Sequence, residues 1–182
     1  MKKALLLVDI QNDYFPGGRM QLEGSESASL HAGALLASFR ERRLPIFHVQ
    51  HVSVRPGSAF FLPGTDGIKI HSNVAPSGNE PVVQKHFPNA FRETPLLDAL
   101  RQGGIQELVI AGMMTHLCID ATTRAAADLG FKCFLAHDAC ATRALSFGDA
   151  RVPAEQVHYS FLSALSGSYA TVQTAAELNK AL

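Results

Sequence analysis

Neither sign of charge is in excess in this 182-residue chain: sixteen lysines and arginines stand against sixteen aspartates and glutamates. That balance, with no basic cluster, excludes a global field that would draw in nucleic acid or an anionic membrane. Long apolar runs are missing too, and nothing approaches the ~20 residues of a membrane-spanning helix. The one stretch that looks like an export signal, Ala4-Leu5-Leu6-Leu7-Val8 behind Lys2 and Lys3, meets Asp9 too early for the apolar segment a signal peptide needs. Cysteine is sparse and odd in number, at Cys118, Cys133 and Cys140, with no metal-type pairing. These absences predict a cytoplasmic protein in a reducing compartment, with no metal or cofactor. No internal repeat and no linker interrupts the chain, so residues 1–182 read as a single domain, long enough to bury one sizeable core.

What is present is an ordinary globular composition, 47% hydrophobic and 18% charged. Apolar runs at 4–9, 45–52, 81–85, 107–111, 131–136 and 170–173 read as strands. Helical spacing or stop signals mark 25–43, 94–102, 115–129 and 153–165, with a terminal helix after the last strand. Strands alternating with helices predict an α/β, three-layer Rossmann-like fold: a mostly parallel six-stranded sheet with helices on both faces. In such sheets ligands sit beyond the carboxyl ends of the strands. A Gly- and Pro-rich loop over 55–81 is long enough to signal function, as a lid or a subunit interface.

Three reactive side chains fall at that rim. Asp9 ends the first strand, Lys85 ends the third, and Cys118 follows the fourth. A thiol in the first turn of a helix feels the positive end of the dipole, which can lower its pKa below the free value of about 8.5. An ammonium at Lys85 would stabilise the thiolate, and Asp9 is placed to take a proton from sulfur and give one to a leaving amine. Each residue also has a bland reading: Cys118 as a small buried hydrophobe, Lys85 as a solvated lysine, Asp9 as a loop carboxylate. Cys133 and Cys140 keep the bland reading.

The pieces Leu7-Val8-Asp9-Ile10-Gln11-Asn12-Asp13-Tyr14-Phe15, Val83-Gln84-Lys85, Asn89-Ala90-Phe91 and Val109 through Cys118, in this order and spacing, resemble the isochorismatase-like cysteine hydrolases. That superfamily includes nicotinamidases and carbamoylsarcosine amidases, and the similarity runs from Leu5 to Leu178. The resemblance implies an Asp-Lys-Cys triad at Asp9, Lys85 and Cys118. It also implies an oxyanion hole from the backbone N–H groups of Met114 and Cys118, with a cis peptide between Met113 and Met114. The implied reaction is hydrolysis of a small-molecule amide through a thioester. A carbamate, ureido or vinyl-ether bond is the alternative, and a non-catalytic member kept for binding or assembly is another. Members commonly form dimers or larger homo-oligomers, so small-molecule substrate and self are the expected partners.

Phe15 and Phe91 match pocket-lining positions of the family. Phe61, His116 and Gln11 complete the expected substrate contacts, although Phe60 and Phe61 suit a subunit contact as well, His116 a helix cap and Gln11 a backbone tie. Nicotinamidases carry an Asp-x-His metal motif after the second strand. Here the stretch is His48-Val49-Gln50-His51-Val52-Ser53, which lacks that Asp. His48 and His51 have opposite parity on a strand and face opposite ways. His51 is expected as a polar rim residue and His48 as packed against a helix, with His71 the only other conceivable ligand nearby.

Overall fold

The computed structural model describes residues 1–182. Its elements are β1 (Lys3–Val8), α1 (Ser25–Glu41), β2 (Ile46–His51), β3 (Val82–Lys85), α2 (Leu96–Gln102), β4 (Glu107–Met113), α3 (Asp120–Asp128), β5 (Lys132–Ala141), β6 (Leu145–Phe147), β7 (Ala150–Val152), α4 (Ala154–Leu165), β8 (Ala170–Gln173) and α5 (Ala175–Lys180). Six strands form one parallel sheet in the order β3-β2-β1-β4-β5-β8. The chain winds outward from β1 through β2 to β3, returns to β4, and winds the other way. The order therefore reverses between β1 and β4, where an open α/β sheet leaves a crevice at its carboxyl edge.

Alternation along β1 explains the layers. Leu5 and Leu7 pack with Ala32, Leu35 and Phe39 of α1 and Leu178 of α5. Ala4, Leu6 and Val8 face the other way, onto Leu96 and Leu100 of α2, Ala126 of α3, and Leu162 and Leu165 of α4. Both faces are covered, so β1 and β4 read as unbroken apolar runs rather than as alternating ones. The two central strands leave no room for a side chain at Gly112, whose φ is 138°. A Cβ there would lie 1.9 Å from the Val8 carbonyl oxygen, so only glycine fits.

Three local features depart from the sequence expectations. The helix expected from Thr115 begins as a wider π turn over Thr115–Ile119 before α3 takes over. Strand β5 continues to Ala141, its register to β4 slipping between Ile110 and Gly112. An antiparallel hairpin, β6 with β7, follows where no strand is expected. Five of its six strand residues are exposed and Phe147 is 91% exposed, so no buried alternation betrays it. No helix is long and apolar enough to cross a membrane.

Candidate active site

Strand ends bring Asp9, Lys85 and Cys118 together. The chain turns sharply at Asp9, with φ 53° and its N–H on the Val49 carbonyl at 3.0 Å. Aspartate is among the residues that tolerate this region best. Lys85 is the last residue of β3, in register with His51 of β2. Cys118 sits in the π turn, whose start is set by Met114: the Leu117 and Ile119 N–H groups both donate to the Met114 carbonyl, at 3.0 and 3.2 Å. The Met113–Met114 peptide is cis. The Thr115 hydroxyl donates to the Ala141 carbonyl at 3.3 Å and ties the turn to β5.

The Lys85 ammonium is the hub. It lies 2.7 Å from an Asp9 carboxylate oxygen, 3.3 Å from Cys118 Sγ, 3.0 Å from His51 Nδ1 and 3.0 Å from the Phe87 carbonyl oxygen. Asp9 and Lys85 are wholly buried and Cys118 is 3% exposed. Burial pulls the Lys85 pKa down, but Asp9 and Cys118 beside it more than offset this and leave it raised. Burial pushes the Cys118 thiol up, and the neighbouring Asp9 carboxylate adds to the push against the opposing pull of Lys85. The lowering expected of a thiol at a helix start is therefore opposed here by burial and by Asp9, because a single ammonium shared between two anionic sites cannot neutralise both in a dry pocket. The second Asp9 oxygen is buried without a hydrogen-bond partner, free to accept a proton.

Above Cys118 lies a hollow of about 190 Å³. Tyr14, Phe60, Phe61 and Leu117 form its apolar wall, and His51, Ser53, Arg55, Ser58 and His86 contribute the polar groups. The 55–81 loop supplies much of this lining, and the run after β1 holds that loop down. Gln11 donates to the Ile68 carbonyl at 2.8 Å, Asn12 to the Asp66 carbonyl at 3.1 Å, and Asp13 accepts from the Phe61 N–H at 2.6 Å. The three polar residues of Gln11-Asn12-Asp13 are thus loop anchors. Of the expected substrate contacts, Phe61 lines the hollow and Phe15, Phe91, His116 and Gln11 do not.

The sequence profile described as Isochorismatase domain matches residues 3–177. The chain belongs to the isochorismatase family. The uncharacterized isochorismatase family protein YddQ of Bacillus subtilis (strain 168) is 50% identical over 174 residues, covering 96% of this chain and 97% of that one. A streptothricin hydrolase of Streptomyces noursei is 35% identical over 77% of this chain and 50% of its own length. A crystal structure from Oleispira antarctica, described as an isochorismatase hydrolase, superposes with a TM-score of 0.95 at 52% identity, covering 98% of this chain and 96% of that one.

Against this family background, several expected contacts lie elsewhere. Phe15 stacks on His71 with ring centroids 3.7 Å apart, and Phe91 faces Phe131 at 6.2 Å; neither lines the hollow. His116 pairs with the Thr142 hydroxyl at 2.5 Å and turns its edge to Phe161. Gln11 clamps the His51 backbone, donating to its carbonyl at 2.9 Å and accepting from its N–H at 2.8 Å. His48 does not simply pack against a helix: its Nε2 meets the Glu80 carboxylate at 2.9 Å.

One residue not singled out from the sequence takes its place here. Tyr14, next to the expected Phe15, turns its ring into the hollow, where burial, then Cys118 and Asp9, raise its pKa. His51, expected as a polar rim residue, stands at that rim directly beside the Lys85 hub. Its signal was available in outline: a residue in register with the last residue of the neighbouring parallel strand shares that residue's face. Asp9, His51 and Cys118 each offer a donor atom, all within 4.8 Å of one another. They do not fit a metal ion, because the Lys85 ammonium already stands among all three and an ion would have to displace a buried cation.

Proposed function

We propose that this chain hydrolyses a small amide, with Cys118 as nucleophile, Asp9 as general base and acid, and Lys85 as the charge that holds the two in place. The observation that carries the reading is the buried ammonium within 2.7 Å of Asp9 and 3.3 Å of Cys118, directly beneath an open hollow. The names of relatives such as the streptothricin hydrolase point the same way.

The chemistry follows from a neutral resting thiol. As Cys118 Sγ attacks the carbonyl carbon, its proton passes to Asp9. Negative charge moves to the carbonyl oxygen, where the Met114 and Cys118 N–H groups receive it; losing one such donor costs about 10²–10³ in rate. The C–N bond breaks with the Asp9 proton going to nitrogen, leaving a thioester and free amine or ammonia. Water then gives a proton to Asp9 and its oxygen attacks the thioester, expelling sulfur, which recovers the proton. Lys85 stays protonated throughout. A hollow of about 190 Å³ lies below the ~300–1,000 Å³ of ordinary ligand pockets, which suits a compact acyl group.

The test is ammonia release from a panel of small primary amides, repeated with hydroxylamine present. An acyl-thioester partitions to hydroxylamine, so hydroxamate should form from every amide that is cleaved. Ammonia without hydroxamate would remove the covalent intermediate, and no release from any amide would remove the amidase reading.

A further inference from the structure

The ammonium of Lys85 is a donor only, so the His51 nitrogen it meets at 3.0 Å, Nδ1, is the one without a proton. A neutral imidazole with a bare Nδ1 carries its hydrogen on Nε2. His51 Nε2 finds no partner within the protein, and the ring lines the hollow together with Cys118. Gln11 holds the His51 backbone with two hydrogen bonds, at 2.9 and 2.8 Å, and Phe61 stands beside the ring, 5.9 Å away between centroids. We propose that His51 is a specificity-determining residue: its Nε2–H, held in one tautomer by Lys85, donates to an acceptor that the substrate carries on its acyl side, next to the scissile carbonyl.

Three observations support the assignment. A ring nitrogen of His51 lies within 4.8 Å of the Cys118 sulfur, so the imidazole stands beside the reacting thiol. The charged and titratable groups facing the ring are Lys85 from β3, Asp9 from the end of β1, His86 just beyond β3, and Arg55 from the long loop. Burial first, and Lys85 second, bring the His51 pKa to about 4, so the donor stays neutral through the physiological range. The rest of the polar lining is hydroxyls, a second imidazole and the Arg55 guanidinium, with no carboxylate. Such a wall favours an acyl group bearing a carbonyl or carboxylate and disfavours a cationic one. The substrate class is a small amide with an oxygen acceptor beside its acyl carbon, rather than the amide of a plain hydrocarbon acid.

The inference rests on Cys118 being the nucleophile, but its test needs no turnover. Two substitutions separate the two ring nitrogens. His51→Asn keeps an acceptor oxygen near the Nδ1 position for Lys85 and removes the group at Nε2. His51→Gln keeps a donor near the Nε2 position and removes the Nδ1 acceptor. Cys118 is alkylated at pH 9 with iodoacetamide, which carries a carbonyl beside the reacting carbon, and with allyl bromide, which carries no acceptor. The ratio of the two rates cancels any change in thiol reactivity. It should stay within about twofold of the unmodified protein in His51→Gln and fall about tenfold in His51→Asn, the effect of one lost hydrogen bond. Any other pattern overturns the proposal. As a readout independent of both variants, ¹⁵N shifts of His51 in the unmodified protein should show a protonated Nε2 and a bare Nδ1; the opposite tautomer also overturns it. Failure of the amide panel with this ratio intact would remove the amidase reading alone.

Discussion

The Lys85 ammonium lies 2.7 Å from the Asp9 carboxylate, and both side chains are 0% exposed. Two full charges removed from water are tolerable only as partners, because the desolvation each suffers is returned by the other. The pair is therefore a structural commitment as well as a chemical one.

Removing one partner should be worse than removing both. Lys85→Met leaves Asp9 buried and unpaired and is expected to lower stability by about 3–5 kcal/mol. The double variant Asp9→Asn with Lys85→Met should recover at least half of that loss. Urea unfolding of the single and double variants checks this, with both expected to be inactive.

The raised Cys118 pKa gives a second outcome. Without substrate, Cys118 should react with iodoacetamide at pH 7 no faster than an unperturbed thiol such as glutathione, and its rate should still be climbing above pH 9. Asp9→Asn removes the carboxylate that opposes ionisation, so it should move the alkylation profile to lower pH while stopping turnover. A rate plateau at neutral pH in the unmodified protein would contradict the neutral resting thiol.

How much of this was legible beforehand differs by residue. Asp9 and Cys118 follow the buried apolar runs of β1 and β4, and a polar side chain just past a covered strand has few places to point except the rim. Lys85 instead ends an edge strand whose residues alternate between exposed and buried, and its alternation points it inward. The sheet itself was legible because β1 and β4 are unbroken apolar stretches. Tyr14 and Phe15 were not separable: a 3-10 turn over Asn12–Tyr14 sets which of two adjacent aromatics turns inward, and its phase is not that of an extended chain. His51 needed the β2–β3 register, which depends on pairing distant segments. The thiol's pKa needed the depth of burial and the fact that Asp9 already claims the Lys85 charge.

A separate network away from the hollow contributes to acid stability. Glu80 accepts from Arg40 at 2.7 and 2.8 Å, from the Ser77 N–H at 3.0 Å, and meets the buried His48 at 2.9 Å. The Arg40 hydrogen bonds lead the causes that hold the Glu80 pKa down at about 2, and burial lowers that of His48. Both groups bind fewer protons folded than unfolded, so stability rises with pH. The His48 part is lost as pH falls below about 6.5 and the Glu80 part between about 4.5 and 2. Because Arg40 is partly exposed, Glu80→Gln should cost only about 1–2 kcal/mol at pH 7. Melting curves should show the gap between the two proteins closing toward pH 2.

The reading as a whole depends on sulfur at position 118. The most direct measurement is ammonia release by Cys118→Ala, on an amide that the unmodified protein cleaves, with circular dichroism and melting temperature showing the variant folded. The account predicts a fall of at least about 10³ in kcat, the scale on which loss of a covalent nucleophile is felt. Turnover within tenfold of the unmodified protein would contradict it.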